Sequence, residues 1–328
     1  MKNAKAISRT FACAAMIALP AFAVSFARAQ DGPYPNKPVK FITASVGSPQ
    51  DVIGRLIGQK LSVLWGKPVV VENRPGAGSL LSITTAGRAA ADGYSVLLSS
   101  SGFTVSPSIM LNPGYDAEKD FIPVVLIAST PNIIVASTQL PATTLKAAVE
   151  LAKTKPMNYG SPGLGTTPQL SAEYLFKSLA KVPVTHVPYS GASPAVAAVA
   201  GGQVEMASVA LPAAVQLVKA GRVRALAVTS NRRSTVLPDV PTIAEAGFTG
   251  FEDSTWVGLW VQKGTPAAIV DRISADVVSI LAQAEVKEQL VNLGFEASDV
   301  PPKQFAAYQR QELAKWARVV KETGVKQE

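Results

Sequence analysis

Cysteine and histidine are almost missing from the 328 residues, with one of each. A single cysteine cannot make a disulfide framework, a Cys₄ zinc site or a cysteine-ligated cluster. A single histidine leaves no basis for a His-rich catalytic metal site. Charge is scarce as well, at 16% of residues, while hydrophobic residues reach 48% and mean hydropathy is +0.22. Bulk disorder needs the opposite balance. Nucleotide fingerprints are also lacking. G-x-x-x-x-G-K-[ST] does not occur, and neither Gly76-Ala77-Gly78 nor Gly163-Leu164-Gly165 has a third glycine at the required spacing. No nucleotide, metal or other cofactor is expected.

What is present begins with an export signal. Lys2, Lys5 and Arg9 precede an apolar run from Phe11 to Phe26, and Ala27-Arg28-Ala29 supplies a small-x-small cleavage site. The run is short for a helix that needs about 20 residues to cross a bilayer, and no later stretch stays apolar that long. Cys13 lies inside the run and not at its end, which does not suit a lipid anchor. Residues 1–29 are therefore read as a cleaved signal peptide, and the mature protein as soluble and periplasmic. Removing the four basic residues of that segment from 31 leaves 27 against 23 acids, a net charge of +4. No Lys/Arg cluster interleaved with aromatics remains, so nucleic acid is not an expected partner. The mature chain holds no cysteine, as suits an oxidising compartment.

From Asp31 onward short apolar strands alternate with amphipathic helices. Strands are read at Val39–Thr43, Val69–Glu72 and Val96–Leu98, with helices from Asp51 to Leu64 and from Leu80 to Ala91. After Pro131 the pattern resumes with strands at Ile133–Val135, Asn158–Gly160, Val184–Val187, Val204–Met206 and Ala225–Val228. The helices between them are read at Leu145–Ala152, Thr167–Leu179, Pro194–Val199 and Ala213–Ala220. Such alternation predicts βαβ units and a mostly parallel sheet covered on both faces. A last strand at Trp256–Val261 is followed only by helices, at Pro266–Leu281, Val286–Leu293 and Pro302–Thr323. Three helices cannot make a second α/β unit, so they are expected to pack back on the first. That gives two α/β lobes, residues 30–130 plus 256–328 and residues 131–255. The chain would cross between them near Ser129–Asn132 and near Glu252–Trp256.

Ligands of open α/β sheets sit beyond the carboxyl ends of the strands. The informative turns there are Ser45-Val46-Gly47-Ser48-Pro49-Gln50-Asp51, Ser99-Ser100-Ser101-Gly102, Gly160-Ser161-Pro162-Gly163-Leu164-Gly165-Thr166-Thr167 and Tyr189-Ser190-Gly191. The third is the richest. Its glycines let the backbone approach a ligand, Pro168 suits a first helical position, and a preceding Thr can cap it. Oriented N–H groups at a helix start form an anion site without a cationic side chain. Turns of this composition are also the ordinary connections of α/β folds. Asp51, the one acid among them, reads as a cap or loop organiser ahead of a general base. Arg55 and Arg74 are candidates for a carboxylate, or for solvated structural roles. Trp256 is a candidate cleft or hinge residue. His186 reads as a polar residue closing a strand. A serine hydrolase would have to recruit it with Ser161 or Ser101 and a distant acid, without a G-x-S-x-G elbow.

These residues also carry a family resemblance. Tyr34-Pro35-Asn36-Lys37-Pro38-Val39, Val71-Glu72-Asn73-Arg74-Pro75-Gly76-Ala77-Gly78, Ala91-Asp92-Gly93-Tyr94 and Tyr159–Thr166 occur in order. They are followed by Val187-Pro188-Tyr189-Ser190-Gly191, Ala220–Val228 and Leu237–Gly247. The set spans Tyr34 to Gly324 and resembles the Bug family of extracytoplasmic solute receptors of tripartite tricarboxylate transporters. The resemblance implies a type II periplasmic-binding-protein fold and no enzymatic activity. It implies a small carboxylate held by backbone groups, Ser/Thr side chains and water, a membrane transporter as partner, and a monomer. Carried onto this chain, the ligand-binding residues are Ser45, Gly47, Ser48, Gln50, Asp51, Ser100, Ser101, Gly163, Leu164, Gly165, Thr166, Thr167, Tyr189, Ser190, Ser208 and Ala210. Two departures stand out. The first loop usually reads Pro-x-x-Pro-Gly-Gly-x-x-Asp; here the proline and glycines are displaced. Where Val209 or Ala210 stands the family commonly has a polar or acidic residue. An apolar wall there would favour an aromatic or aliphatic mono- or dicarboxylate over an amino acid, whose ammonium needs an acidic partner. The alternatives are the hydrolase and a sensor that presents its solute to a histidine-kinase ectodomain.

Overall fold

The computed structural model describes residues 33–76, 79–298 and 300–325; the expected signal peptide lies outside them. The first half contains β1 (Val39–Thr43), α1 (Pro49–Trp65), β2 (Val69–Asn73), α2 (Leu80–Gly87), β3 (Ser95–Ser100) and α3 (Gly102–Ile109). A long strand, β4 (Phe121–Ser137), leads into α4 (Leu145–Ala152), β5 (Met157–Ser161) and α5 (Thr167–Glu173), which continues as a π-helical turn over Tyr174–Leu179. Next come β6 (Val184–Pro188), α6 (Ala192–Ala200), β7 (Met206–Ala210), α7 (Pro212–Lys219) and β8 (Val223–Val228). The chain ends with β9 (Ser254–Gln262), α8 (Ala267–Leu281), α9 (Ala284–Asn292), β10 (Glu296–Ala297) and α10 (Pro302–Thr323).

Local chemistry fixes many of these limits. Ser48 caps α1, with Pro49 in its first turn and Gly66 closing it at φ 60°. The Thr144 hydroxyl accepts from the Ala147 amide at the start of α4. Alternation along the strands sends successive side chains to opposite layers. Phe41, Val96 and Leu98 join α1 and α8 in one core, while Ile42 and Leu97 join Ile83, Phe103 and Phe305 in another. In the second half Met206 packs with α4 and α5, and Ala207 and Val209 with α6 and α7. Both sheet faces are thus covered in each half, and the fold is a two-lobed α/β arrangement.

The sheet order is β2-β1-β3-β9-β4-β7-β5-β6, with β8 and β10 also on β4. The flanks are parallel, as the alternation predicts, but the middle is not. β9 runs antiparallel to β3 and β4, and β4 antiparallel to β7 and β8. The reason lies in β4, which serves both halves. Phe121–Pro131 pairs with β9, and Asn132–Ala136 with β7. A strand that leaves one sheet for the next, and another that returns beside it, must run in opposite senses. Three further expectations need correction, and one helix went unread. The strand read at Ile133–Val135 extends back to Phe121, and the one read at Val204 starts at Met206. α3 forms despite Gly102 and Pro107, and β10 interrupts the helical tail by pairing with Ser129 and Ala128.

Candidate ligand-binding site

The strand registers bring the informative turns to one seam. Asn132 on β4 opposes Ala210 at the end of β7, Pro131 opposes Ser254 at the start of β9, and Ser100 at the end of β3 opposes Val257. The carboxyl ends of β1 and β3 in one half and of β5, β6 and β7 in the other therefore border the place where β4 changes sheets. Helices α1, α3, α5, α6 and α7 open from those ends.

The two halves touch through predicted residues. Ser101 Oγ lies 3.0 Å from Thr167 Oγ1, which lies 3.0 Å from Thr255 Oγ1. The Thr255 hydroxyl donates to Asn132 Oδ1 at 2.7 Å, and Asn132 Nδ2 donates to Asp253 Oδ2 at 2.7 Å. A carbonyl oxygen only accepts, so the hydroxyl hydrogens run in one sense, from Ser101 through Thr167 and Thr255 to Asn132. Ser171 donates to the same Asp253 oxygen at 2.7 Å, and Lys315 Nζ lies 3.4 Å from the other. Lys315 also pairs with Glu312 at 2.6 Å, and Glu312 accepts from the indoles of Trp256 and Trp316 at 3.0 and 3.1 Å. Burial pushes the Asp253 carboxyl up to about 6, against the opposing charge of Lys315 and with that of Glu312. Burial works against the Lys315 charge, but Asp253 and Glu312 outweigh it and hold its pKa above the ordinary value.

A second contact is steric. A Cβ added to Gly165, at φ +77°, would lie 2.5 Å from Ile109 Cδ1, so the glycine loop sits against α3 of the other half. Around it Val105, Ile109, Leu170, Phe251, Trp316 and Val319 form one apolar cluster shared by both halves.

Within the first loop the groups mostly hold one another. The Asp51 carboxylate, 2% exposed, accepts from the Gly47 amide (2.9 Å), Arg55 (2.9 and 3.2 Å) and Asn73 Nδ2 (2.9 Å). Burial pushes this acid up, but the bonds from Arg55, Gly47 and Asn73 outweigh it and lower its pKa. Ser48 donates to the Ser45 carbonyl at 2.6 Å and accepts from Asp51 N at 3.4 Å. Gln50 is buried, and Val46 and Gly47 are exposed at the tip. Asp51 is thus a loop organiser, as one reading of the sequence has it, and Arg55 is its partner. Arg74 pairs with Glu72 at 2.5 Å.

The second loop is held without charge. Ser161 Oγ accepts from the Gly163 amide at 3.1 Å and lies 2.7 Å from His186 Nε2. Thr166 donates to the Gly163 carbonyl at 2.8 Å and does not cap α5 through its side chain, contrary to the capping role open to it in the sequence. Gly165 N donates to Gln169 Oε1 at 3.3 Å. The Tyr189 ring lies over Gly160, where a Cβ would be 3.0 Å from it, and the Tyr189 amide donates to the Ser161 carbonyl. Leu164 and Ser190 are exposed, Ser100 is half-buried, and Ser208 is buried with no hydrogen-bond partner for its hydroxyl. Val209 belongs to the core beneath α6 and α7, so only Ala210, opposite Asn132, is left of the apolar wall read there. Trp256 is fully buried in the core it shares with Ile42, Leu97 and Phe103, and not at a cleft surface. A surface hollow of about 830 Å³ lined by Arg224, Asp239 and Glu245 lies at the far end of β8, away from the seam.

The donors available at the seam are main-chain N–H groups. The first turn of a helix leaves its amides without intrahelical acceptors; these include Gln50 in α1, Gly102 and Phe103 in α3, and Thr167 and Gln169 in α5. No Lys or Arg occurs in the four loops. The arrangement suits an anion gripped by oriented dipoles.

The Ser161–His186 pair has the geometry of a nucleophile and its base, but Ser161 is fully buried. The nearby acid, Glu173, is engaged by Tyr159 and Lys177 at 2.6 Å each and does not orient the imidazole. Among the described residues no cluster of His, Cys, Asp and Glu suits a metal, and no helix is long and apolar enough to cross a membrane. Sequence reading missed Thr255, Asn132, Asp253, Lys315 and Glu312 as partners. Its only signals were the two predicted crossings and the polar run Glu252–Thr255 that leads into β9.

Two lobes sharing strands, with helix starts gathered along the seam, form the architecture of a solute-binding protein. Residues 53–325 match the family described as tripartite tricarboxylate transporter family receptor. BugT of Bordetella pertussis is 33% identical over 298 residues, which is 89% of this chain and 91% of BugT. An R. palustris protein solved with adipate superposes with a TM-score of 0.85 at 32% identity, covering 89% of this chain and 99% of that one. MatC from Rhodopseudomonas palustris, solved with bound malate, gives 0.80 at 31% identity, over 88% and 100% of the two chains. The chain belongs to the tripartite tricarboxylate transporter receptor family, that of the Bug proteins.

Proposed function

We propose that this protein is a periplasmic receptor that captures a small carboxylate between its lobes and delivers it to a tripartite tricarboxylate-type membrane transporter. In this reading residues 1–29 are removed on export. The lobes are residues 30–130 plus 256–328 and residues 131–255, and the receptor acts as a monomer. The ligand lies where loops 45–51 and 99–102 meet loops 161–167 and 189–191, with Ser208 and Ala210 beneath. The observation that carries it is the Ser101–Thr167 contact, which joins two helix starts from opposite halves in loops free of cationic side chains. The adipate and malate in two related structures support a dicarboxylate. Binding both lobes at once favours the closed arrangement, since a ligand shifts an equilibrium only by its differential affinity.

A thermal-shift screen followed by calorimetry tests this. Adipate, malate and aromatic carboxylates are compared with aspartate, glutamate, a sugar and a polyamine. A ligand at about 100 times its Kd stabilises by about 2.7 kcal/mol. A rise with a carboxylate supports the reading; a rise only with the sugar or polyamine overturns it. If aspartate or glutamate leads, the preference attributed to Ala210 is wrong. Delivery is tested by carboxylate uptake in cells with and without the receptor.

A further inference from the structure

His186 has no role in carboxylate binding as described above, yet its ring is built into the glycine loop. It lies on β6 beside Tyr159, their ring centroids 5.0 Å apart, and its Nε2 is 2.7 Å from Ser161 Oγ. Ser161 has one hydrogen to place. Its oxygen accepts from Gly163 N at 3.1 Å, and the other acceptor in reach is the Gly163 carbonyl at 3.3 Å, which Thr166 already serves at 2.8 Å. His186 Nε2, at 2.7 Å against 3.3 Å, is the nearer acceptor, and assigning the hydroxyl hydrogen to it puts the neutral imidazole's own proton on Nδ1.

We propose that His186 is a positioning residue: by accepting the Ser161 hydroxyl it turns that oxygen's lone pairs toward Gly163 N–H and presets the 163–167 loop for its anion. The proposal rests on the carboxylate reading of that loop. Gly163 stands at φ +123°, a conformation open to glycine and therefore one that its neighbours must fix. A protonated Nε2 is a donor and no longer takes the Ser161 hydrogen, which must then turn to the crowded Gly163 carbonyl. The charged groups facing the ring are Glu173 on α5 and Lys177 on the π-helical turn. Burial lowers the pKa of His186, Glu173 opposes that shift and Lys177 adds to it, so the imidazole stays neutral down through its ordinary value and takes its proton only below it.

The test joins ligand-free NMR with calorimetry from pH 4.5 to 7.5, using wild type, His186→Gln and His186→Phe with adipate and malate as probes. Glutamine keeps an acceptor but does not titrate; phenylalanine offers neither. The Gly163 amide shift should follow the His186 titration in wild type and stay flat in both variants. Wild-type affinity should fall about tenfold below the His186 pKa relative to the His186→Gln profile, the scale of one lost hydrogen bond. His186→Phe should show that loss at every pH, and His186→Gln at none. A Gly163 amide that ignores the imidazole, or wild-type affinity that rises on acidification relative to His186→Gln, overturns the proposal. If neither acid binds wild type at any pH while the amide still titrates, the carboxylate reading fails and the coupling stands.

Discussion

Asp51 and Asp253 are both buried aspartates, one in the first loop and one at the seam, and their acidities move in opposite directions. Asp51 receives the Gly47 amide, Asn73 and two nitrogens of Arg55, whose other face reaches solvent. Asp253 receives Asn132 and Ser171 closely but its lysine only at 3.4 Å, and the same lysine sits nearer to Glu312. Burial penalises both carboxylates. The number and closeness of the donors decide whether that penalty is overcome. The loop thus holds an acid below the usual aspartate value, whereas burial pushes the carboxyl at the seam up to about 6.

The largest effect expected from this contrast is in stability against pH. Asp253 binds its proton in the folded state up to about pH 6, where the unfolded chain has already released it. Its contribution is therefore greatest below the ordinary aspartate value, declines as pH rises to about 6, and is flat above. A rise from the ordinary aspartate value to about 6 corresponds to at most about 3 kcal/mol. In urea midpoints, Asp253→Asn should remove this gain on acidification between pH 6 and 4; an unchanged slope would place the titration elsewhere. Asp51 behaves oppositely, with stability present above its ordinary value and lost as pH falls below it. Asp51→Ala should cost about 2 kcal/mol at pH 7, because Gly47 N–H and Asn73 lose their acceptor, and the slope across pH 6 to 4 should persist.

Smaller changes test how the two regions are joined. Gly165→Ala places a methyl against Ile109 in a left-handed backbone and should cost about 1–2 kcal/mol. The double variant with Ile109→Ala should recover the steric part alone. Full recovery would mean that φ +77° carries no strain. Thr167→Val removes the hydroxyl shared by Ser101 and Thr255 and should cost about 1 kcal/mol. A double-mutant cycle with Ser101→Ala should show coupling, and strict additivity would sink the relay.

Much of this is legible in the amino-acid sequence. The alternation on both flanks and the organising role of Asp51 follow from neighbours a few residues apart, although the helix read from Asp51 starts two residues earlier, at Pro49 after the Ser48 cap. The motifs from Tyr34 onward point to the family that the comparison with BugT and the match over residues 53–325 establish. Less legible is the central strand pair, because Pro123 and Pro131 break a pattern that only the partner β9 completes.

Composition, periodicity and local capping thus determined the α/β halves, the cation-free loops and the helix starts that open from them. The tertiary structure alone decided that β4 runs through both halves, that Asn132 meets Asp253 and Thr255 across 121 and 123 residues, and that Ser161 meets His186. The physical reason is range. A side chain's periodicity is set by its own backbone, while a buried polar partner is set by the strand registers that bring distant segments together.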